Sequence, residues 1–291
     1  MKPEFIEAVF EAGKQHARDR YLSALLCPPP QRDGLVSLAA VIGEIERIPA
    51  IVSDPMLGEI RLQWWADWLA NLGQNPETKT GNPIADAFTE TRTTHALPIE
   101  PLQTLCEARI SDFYADAFET HEAYHAYLSA CEAGPYRLAA IICGHDESRA
   151  STHASAAVEA AGRVTGGIRV LMKLAFFTAR GRWPLPLQNA TNEGLPAISE
   201  TDAKSRDLRA SAVRDEMRHI ERAAADVASA IRAANPDERP PLRSALRPVA
   251  LTQSYLKLLK SEACWSLEPV QDMAPFSRVW GLGMAKLRAR P

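Results

Sequence analysis

Apolar residues recur at helical spacing along almost the whole chain, and this pattern does most to limit the folds open to it. In successive segments they lie three or four positions apart, which places them on one face of a helix. Prolines and polar loops separate the segments. No run shows the alternation of apolar and polar residues that is typical of a strand. The pattern predicts helices at residues 4–27, 31–48, 55–72, 83–95, 99–118, 120–144 with an interruption at Gly134-Pro135, 151–178, 200–234 and 242–262.

Neither an internal repeat nor a long linker interrupts this order, and 291 residues are enough for one large core. We therefore expect one all-α domain at 1–291, a helical bundle that ends in an irregular, basic amphipathic tail at 264–291. The tail could contact a membrane surface or an acidic partner, or it could dock back on the bundle. It combines apolar and basic residues: Phe276, Val279, Trp280, Leu282 and Leu287 with Arg278, Lys286, Arg288 and Arg290.

Composition excludes several functional classes. The net charge of −3 gives no general attraction for nucleic acid. No stretch approaches the length of uninterrupted apolar sequence that a transmembrane helix requires, and the N-terminal residues are not typical of a signal peptide. The five cysteines are scattered and odd in number, which indicates free thiols in a reducing compartment. We expect a cytoplasmic protein.

The segment at 53–72, SDPMLGEIRLQWWADWLANL, begins with a helix start signal, because Asp54 is a good N-cap and Pro55 suits the first helical position. Arg61 lies inside its predicted apolar sector, and an unpaired buried charge is costly. It could belong to a structural ion pair, extend to solvent, or face a polar cavity in the bundle. The predicted sector contains Leu57, Trp64, Trp65, Trp68, Leu69 and Leu72.

The segment at 151–178 carries a second unusual feature, a line of small and then basic residues beside its apolar face. This line could be a solvated or ion-paired edge. Alternatively, it could line a cavity, pair with Glu46 or hold an anionic head group. Its members are Gly162, Gly166, Arg169 and Lys173, with Arg180 beyond them.

Motifs of common catalytic sites are absent from the sequence. We find no Gly-rich phosphate loop, no GxSxG, no HExxH and no DDxxD cluster. His121 and His125 lie four residues apart, but with few carboxylates nearby we interpret the pair as incidental. Asp112 and Asp116 have the same spacing and are interpreted as a solvated helix face. We therefore predict no metal site.

Two segments resemble the squalene/phytoene synthase family. DRYLSALLCPPPQRDGLVSLAAVIGEIERIPAIVSDPMLGEIRLQWW (19–65) is similar to its N-terminal region, and GRVTGGIRVLMKLAFFTARGRWPLP (162–186) to its second signature region. The similarity extends from about residue 10 to 262, and SDPMLGEIRLQWW is its most specific part. The resemblance implies an isoprenoid-synthase-like bundle around a central cavity. The residues expected to line it are Glu46, Arg47, Arg61, Trp64, Trp65, Gly166, Arg169, Lys173, Phe176, Phe177, Arg180 and Arg182.

The chain departs from the family at its metal-binding motifs. In active members, two aspartate-rich motifs on facing helices bind magnesium and the substrate diphosphates. The first aligns with Glu46, Arg47 and Ala50, and the second with Lys173, Phe176 and Phe177, so only Glu46 is acidic. Gly166 and Arg169 replace polar amides, and Pro184 replaces a tyrosine. A lysine in place of a carboxylate would repel magnesium. We expect no cofactor, with magnesium required only if the chain is an active synthase.

Degenerate motifs of this kind resemble the non-synthase branch of the family, which includes the mitochondrial respiratory complex I assembly factor. The first hypothesis is a non-catalytic protein that acts in complex I assembly or binds an isoprenoid or lipid-phosphate ligand. It would lie at the inner face of a respiratory membrane and contact a complex I subunit or assembly intermediate. The alternative is an active prenyl transferase that joins two isoprenoid diphosphates head to head, because arginine and lysine can bind diphosphate directly. In the cavity interpretation Arg61 faces a buried acid such as Glu46, so Arg61→Ala is expected to destabilise the fold.

Overall fold

The computed structural model describes residues 1–75, 79–114, 118, 120–186, 203–261 and 269–288. This part of the chain contains fourteen α-helices and no β-strand, which confirms the all-α prediction. The helices are α1 Pro3–His16, α2 Arg18–Leu25, α3 Pro29–Ile51, α4 Pro55–Gln74, α5 Pro83–His95, α6 Glu100–Tyr114, α7 His121–Leu128, α8 Gly134–Ile142, α9 Thr152–Met172, α10 Leu174–Thr178, α11 Ala203–Ala233, α12 Arg239–Ala245, α13 Thr252–Ser261 and α14 Pro275–Leu287.

Helices α3 and α9 organise the bundle. Helix α3 packs against α1, α2, α4, α5, α6 and α8, whereas α9 packs along α11 and against α7, α8 and α13. Along α3, most residues from Gly34 to Ile45 are buried. A continuous apolar core therefore connects the first and second halves of the chain, and α3 and α9 can present polar side chains toward a space between them.

Several predicted helices are divided in the structure, and two of the divisions have a local cause. The first helix breaks at Ala17 (φ −136°, ψ 48°), where α3 passes closely: a Cβ on Gly43 would lie 2.8 Å from the Cβ of His16. The segment at 120–144 forms α7, a π-helical turn at Ser129–Ala133 and α8. Pro135 has no amide hydrogen and would clash with the carbonyl four residues earlier, which the wider π-helical turn relieves.

The buried face of α4 differs from the predicted one. Arg61 is exposed, and so are Leu57 and Trp64, at 55% and 42% of their surface. The prediction that Arg61 lies in a cavity wall is therefore wrong, and the cause is the neighbouring helix. Gly58 has no side chain, so the ring of Phe113 in α6 packs against its backbone and orients α4. The residues that face the core are Gly58, Leu62, Trp65, Trp68, Leu69 and Leu72.

The C-terminal segment forms helix α14 at Pro275–Leu287, so the prediction of an irregular tail is wrong for these residues. Its Arg278 side chain is buried and contacts Asp19 of α2, with Nε 2.5 Å from Oδ1. This ion pair docks one face of the helix on the bundle. The opposite face leaves Phe276, Trp280 and Leu287 exposed. Arg290 lies outside the described residues, and contact with a membrane or an acidic partner stays a prediction.

None of the described helices combines the length and the apolar character that crossing a membrane requires.

Neighbouring residues on α4 give a matched test of its orientation. Leu62 is fully buried, so Leu62→Ala should lower the free energy of unfolding by about 2–5 kcal/mol. Arg61→Ala removes an exposed side chain and should change it by less than about 0.5 kcal/mol. Urea denaturation followed by circular dichroism measures both. A loss above about 1 kcal/mol in Arg61→Ala would contradict the exposed placement of Arg61.

Candidate functional site

A cavity of about 390 Å³ opens inside the bundle, and residues from all three thirds of the chain line it. Its wall includes apolar side chains, among them Ile168 and Met172 of α9, and the ring of Tyr136 of α8. Charged side chains make up much of the remainder, which is unusual for a space among packed helices. They are Arg18, Asp19, Arg20, Glu46, Glu132, Arg169, Lys173, Asp272 and Arg278.

Glu132, in the π-helical turn, carries the most enclosed carboxylate of this wall, with a side chain only 4% exposed. It accepts hydrogen bonds from Arg20 of α2 at 2.5 Å and from the Nε of Arg169 of α9 at 3.0 Å. Burial alone would raise the pKa of Glu132, but the charges of Arg20, Arg169 and Arg109 outweigh it and lower that pKa. Glu132 is therefore ionised at neutral pH and tied to arginines from separate helices.

The small residues of α9 allow the π-helical turn to approach. A Cβ on Gly162 would lie 2.9 Å from the backbone nitrogen of Ala133, and one on Gly166 would lie 2.9 Å from Cδ2 of Leu128. Gly166 was predicted to line the cavity, but it is absent from the wall and packs against the turn instead. Its role is to hold Glu132 within reach of Arg169, three positions along the same helix.

Arg109 of α6 forms a second buried ionic group behind the cavity wall. Its guanidinium donates to Glu46 of α3 at 3.0 Å, to Asp112 at 3.2 Å and to the hydroxyl of Tyr127 at 3.1 Å. Tyr127 in turn donates to Asp112 at 2.6 Å. The prediction that Asp112 belongs to a solvated face is therefore wrong, because its side chain is 9% exposed and ion-paired. Asp116 lies outside the described residues.

Lys173 is the cation of this wall that has no hydrogen-bond or ion-pair partner within the described part of the chain. It follows the last residue of α9, where the backbone leaves the helix. Burial, and next the nearby charge of Arg169, lower the pKa of Lys173 to about 8. The Nη2 atom of Arg169 is also buried without a hydrogen-bond partner. Two donors, one of them cationic only below about pH 8, are thus free to bind an anion.

The cavity brings together Glu46, Arg169 and Lys173 of the predicted lining residues and leaves the others elsewhere. Arg47 pairs with Glu44 at 2.8 Å along α3. Trp65 packs edge to face between Trp64 and Trp68, away from the cavity. Whether a residue reaches the cavity depends on the face of the helix on which it lies. A motif alignment does not define that face.

The residues at the end of the second signature region form a separate cluster. Arg180 lies over the ring of Phe176 at 3.9 Å and donates to the carbonyl of Pro49 at 3.0 Å. Phe177 and Arg182 face a smaller space beside Tyr127, and Arg182 donates to the carbonyl of Asp112. The basic loop therefore closes the bundle next to the Arg109 group, and these side chains do not line the main cavity.

The ionic group around Arg278 in the cavity wall was not predicted from the sequence. Arg278 of α14 contacts Asp19 and also Asp272 at 2.6 Å, and Tyr255 of α13 donates to Asp19 at 2.7 Å. Arg20 and Glu132 were missed as well. The one signal in the sequence was the Gly-Pro interruption after Glu132, which marks an irregular turn. That signal does not identify the partner of Glu132, because Arg20 is more than 100 positions away in the sequence.

The magnesium that the resemblance implies does not fit this donor set. Each acid of the inner wall and of the Arg109 group, namely Glu46, Asp112 and Glu132, is held by at least one arginine. Magnesium needs carboxylate oxygens that are free to converge on the ion. Within the described ranges, the cavity does not bring three acidic side chains close enough to share one ion. No step that uses magnesium follows from these residues.

Glu132→Gln should destabilise the protein strongly, because it leaves Arg20 and Arg169 enclosed without their countercharge. We expect a loss of about 3–5 kcal/mol in the free energy of unfolding. The matched control Glu107→Gln, on the exposed side of α6, should stay within about 0.5 kcal/mol. The folded-state pKa of Glu132 lies below its ordinary value of 4.5. The contribution of the Glu132 charge to the free energy of unfolding is therefore fully present above pH 4.5.

That contribution is lost as the pH falls through the lowered pKa, so wild type and Glu132→Gln should converge in stability under acid. Urea denaturation at a series of pH values measures the difference. A constant gap between the two proteins down to the acid limit would mean that the Glu132 charge does not stabilise the folded state.

Comparison with known sequences connects this architecture to one family. The family model described as squalene/phytoene synthase matches residues 14–279, which is most of the chain. A search of curated protein sequences found no matching relative. The matched region contains every residue that lines the cavity and all three ionic groups described above.

Solved structures show the same arrangement of helices. The squalene synthase HpnC from Alicyclobacillus acidocaldarius aligns with a TM-score of 0.67 at 18% identity, covering 89% of this chain and 94% of its own. A dehydrosqualene synthase in complex with a ligand aligns with a TM-score of 0.74 at 13% identity, covering 98% of this chain and 97% of its own. At these identities the likeness shows the fold alone.

Proposed function

The chain belongs to the squalene/phytoene synthase family, and we propose that it is a non-catalytic member that binds one anionic isoprenoid or lipid in its cavity. The observation that carries the proposal is the charge arrangement of the wall. The acids near α3 and α9 are neutralised by arginines, while Lys173 and the Nη2 of Arg169 have no partner among the described residues. Such a wall favours an anion over a metal ion.

Charge and shape together define the class of ligand. A phosphate or diphosphate group would accept hydrogen bonds from Lys173 and Arg169. The hydrocarbon chain would then lie along Ile168 and Met172, one to five positions away on the same helix. A volume of about 390 Å³ is at the lower end of the range for one small-molecule ligand. Head-to-head condensation needs two prenyl diphosphates at once, so the volume supports binding of one ligand.

Purified protein incubated with farnesyl or geranylgeranyl diphosphate, magnesium and NADPH as the hydride donor should form no C30 or C40 product, because the acids that would hold the ion are paired. The same protein without magnesium should bind farnesyl diphosphate with one site per chain. Isothermal titration calorimetry measures the binding, and extraction followed by mass spectrometry measures the product. Formation of a C30 or C40 hydrocarbon would overturn the non-catalytic assignment and favour the alternative, an active head-to-head prenyl transferase.

Lys173→Gln should weaken this binding by about tenfold or more, since a charge-assisted bond to the anion is lost. The exposed Lys14→Gln on α1 is the matched control and should bind like wild type. The pKa of Lys173 is about 8, so wild-type affinity should fall as the pH rises through 8. The charged groups that act on Lys173 are Arg169 and Arg109, which lower its pKa, and Glu46 and Asp112, which raise it. Binding that is unchanged in Lys173→Gln would place the anion elsewhere.

An apolar surface on the outside of the bundle supports a role with a protein partner. Met56, Leu57, Ile60 and Trp64 lie on one side of α4 and expose 68%, 55%, 58% and 42% of their surface. Contiguous exposed apolar side chains of this kind are typical of interaction sites. We propose that this surface contacts a subunit or assembly intermediate of respiratory complex I, and that the protein acts at the inner face of the membrane in which that complex is assembled.

Deletion of the gene should lower the amount of assembled complex I and leave carotenoid and hopanoid levels unchanged. Re-expression of the wild-type chain should restore assembly, whereas Ile60→Asp on the α4 surface should not. Ile6→Asp, the same change at an exposed isoleucine of α1, is the matched control and should restore it. Native gel electrophoresis of membranes measures complex I. Normal complex I in the deletion strain would rule out this partner.

A further inference from the structure

Three histidines from two distant parts of the sequence meet between α7 and α11. His121 and His125 lie one turn apart on α7, and His219 projects from α11. The ring of His219 lies 5.4 Å from that of His121 and 5.7 Å from that of His125, centroid to centroid. One ring nitrogen of each residue lies within 4.8 Å of the other two. The interpretation of His121 and His125 as an incidental pair did not include His219, which is 94 positions after His125 in the chain.

The ring nitrogens of this cluster lack partners. Both ring nitrogens of His121, and Nδ1 of His125 and of His219, are hidden from solvent without a hydrogen bond in the described structure. Glu216 is the nearest acid, but its Oε2 is 3.9 Å from Nδ1 of His219, which is too long for a hydrogen bond. A buried polar atom without a partner destabilises a fold by about 1–3 kcal/mol. Four such atoms in one cluster indicate that something else satisfies them.

We propose that His121, His125 and His219 bind one divalent transition-metal ion of the zinc class, which joins α7 to α11. Two histidines at positions i and i+4 of one helix present their rings on the same face, as metal ligands require. Around a zinc ion with bonds of about 2.0–2.1 Å, tetrahedral nitrogens lie about 3.4 Å apart. The observed limit of 4.8 Å therefore needs only small side-chain rotations.

Nitrogen ligands without carboxylates select the kind of metal. Imidazole suits zinc, copper and nickel, whereas magnesium and calcium require oxygen ligands. The histidine site is separate from the main cavity of about 390 Å³, because none of the three histidines lines that cavity.

A fourth coordination position would be open to solvent. A second cavity of about 370 Å³ is lined by His125 and His219, so the ion would face it directly. Arg163 and Arg222 lie on the same wall and would attract an anion or orient a water molecule on the metal. Asp226 and Glu216 also lie there and offset part of the arginine charge. Three protein ligands and one exchangeable position are typical of open zinc sites.

Calorimetric titration of the chelator-treated full chain with zinc chloride tests the proposal. We expect one zinc ion per chain, a rise in melting temperature on zinc addition, and no comparable effect of magnesium chloride. His125→Gln and His219→Gln should each weaken zinc binding by at least about tenfold. His153→Gln, at an exposed position of α9, is the matched control and should bind zinc like wild type. Circular dichroism of each variant checks that it is folded.

Cobalt chloride supplies an independent readout, because the visible spectrum of bound cobalt reports its geometry. An intense four-coordinate spectrum in wild type that is lost in His219→Gln would support the site. Zinc affinity that is the same in wild type, His125→Gln and His219→Gln would overturn it. Zinc affinity that is lost only in Cys27→Ser would also overturn it, since the buried thiol would then be the ligand.

Discussion

Glu132 holds the cavity together, because its single carboxylate forms ion pairs with arginines from two helices. Arg20 and Arg169 approach it from opposite sides, and both would be enclosed without a countercharge in its absence. Its place in a π-helical turn depends on the proline that follows, and its distance from α9 depends on glycines in that helix. The irregular turn, the close approach of α9 and the ion pairs of Glu132 therefore depend on one another.

This arrangement differs from the free metal-binding acids that the family resemblance implies. A metal-dependent prenyl transferase needs acids that are free to bind ions, and here Glu46 and Glu132 already hold arginines. Among the described residues of the wall, Lys173, one nitrogen of Arg169 and the hydroxyl of Tyr136 lack a hydrogen-bond partner, and all three can donate to an anion. The fold is that of the synthases, and the proposed ligand of the inner wall is an anion bound without a metal.

The two proposed binding sites use different physical principles. The main cavity is preorganised by ion pairs among long side chains of five helices and the π-helical turn. The histidine cluster lacks such partners, and its ring nitrogens depend on a ligand to satisfy them. A metal at His121 and His219 would fix α7 against α11, and α7 leads directly into the turn that carries Glu132. Metal binding would therefore stabilise the segment on which the cavity depends.

The sequence by itself determined the helical class, the position of most helices and several of their ends. These features are local: Asp54 caps α4 by accepting a hydrogen bond from the amide of Met56 at 2.9 Å, and α5 has the predicted bounds of 83–95. Residues three or four positions apart are enough to define them. The resemblance also identified Glu46, Arg169 and Lys173 as cavity residues.

Only the tertiary structure decided which face of each helix lies inward and which charges meet. On α4, two overlapping apolar sectors were available, and the packing of Phe113 on Gly58 selected the one that leaves Arg61 in solvent. The partners of Glu132 and of His219 come from helices far away in the sequence. Helical periodicity acts over one or two turns and carries no information about such distant contacts, so their positions depend on the packing of the whole bundle.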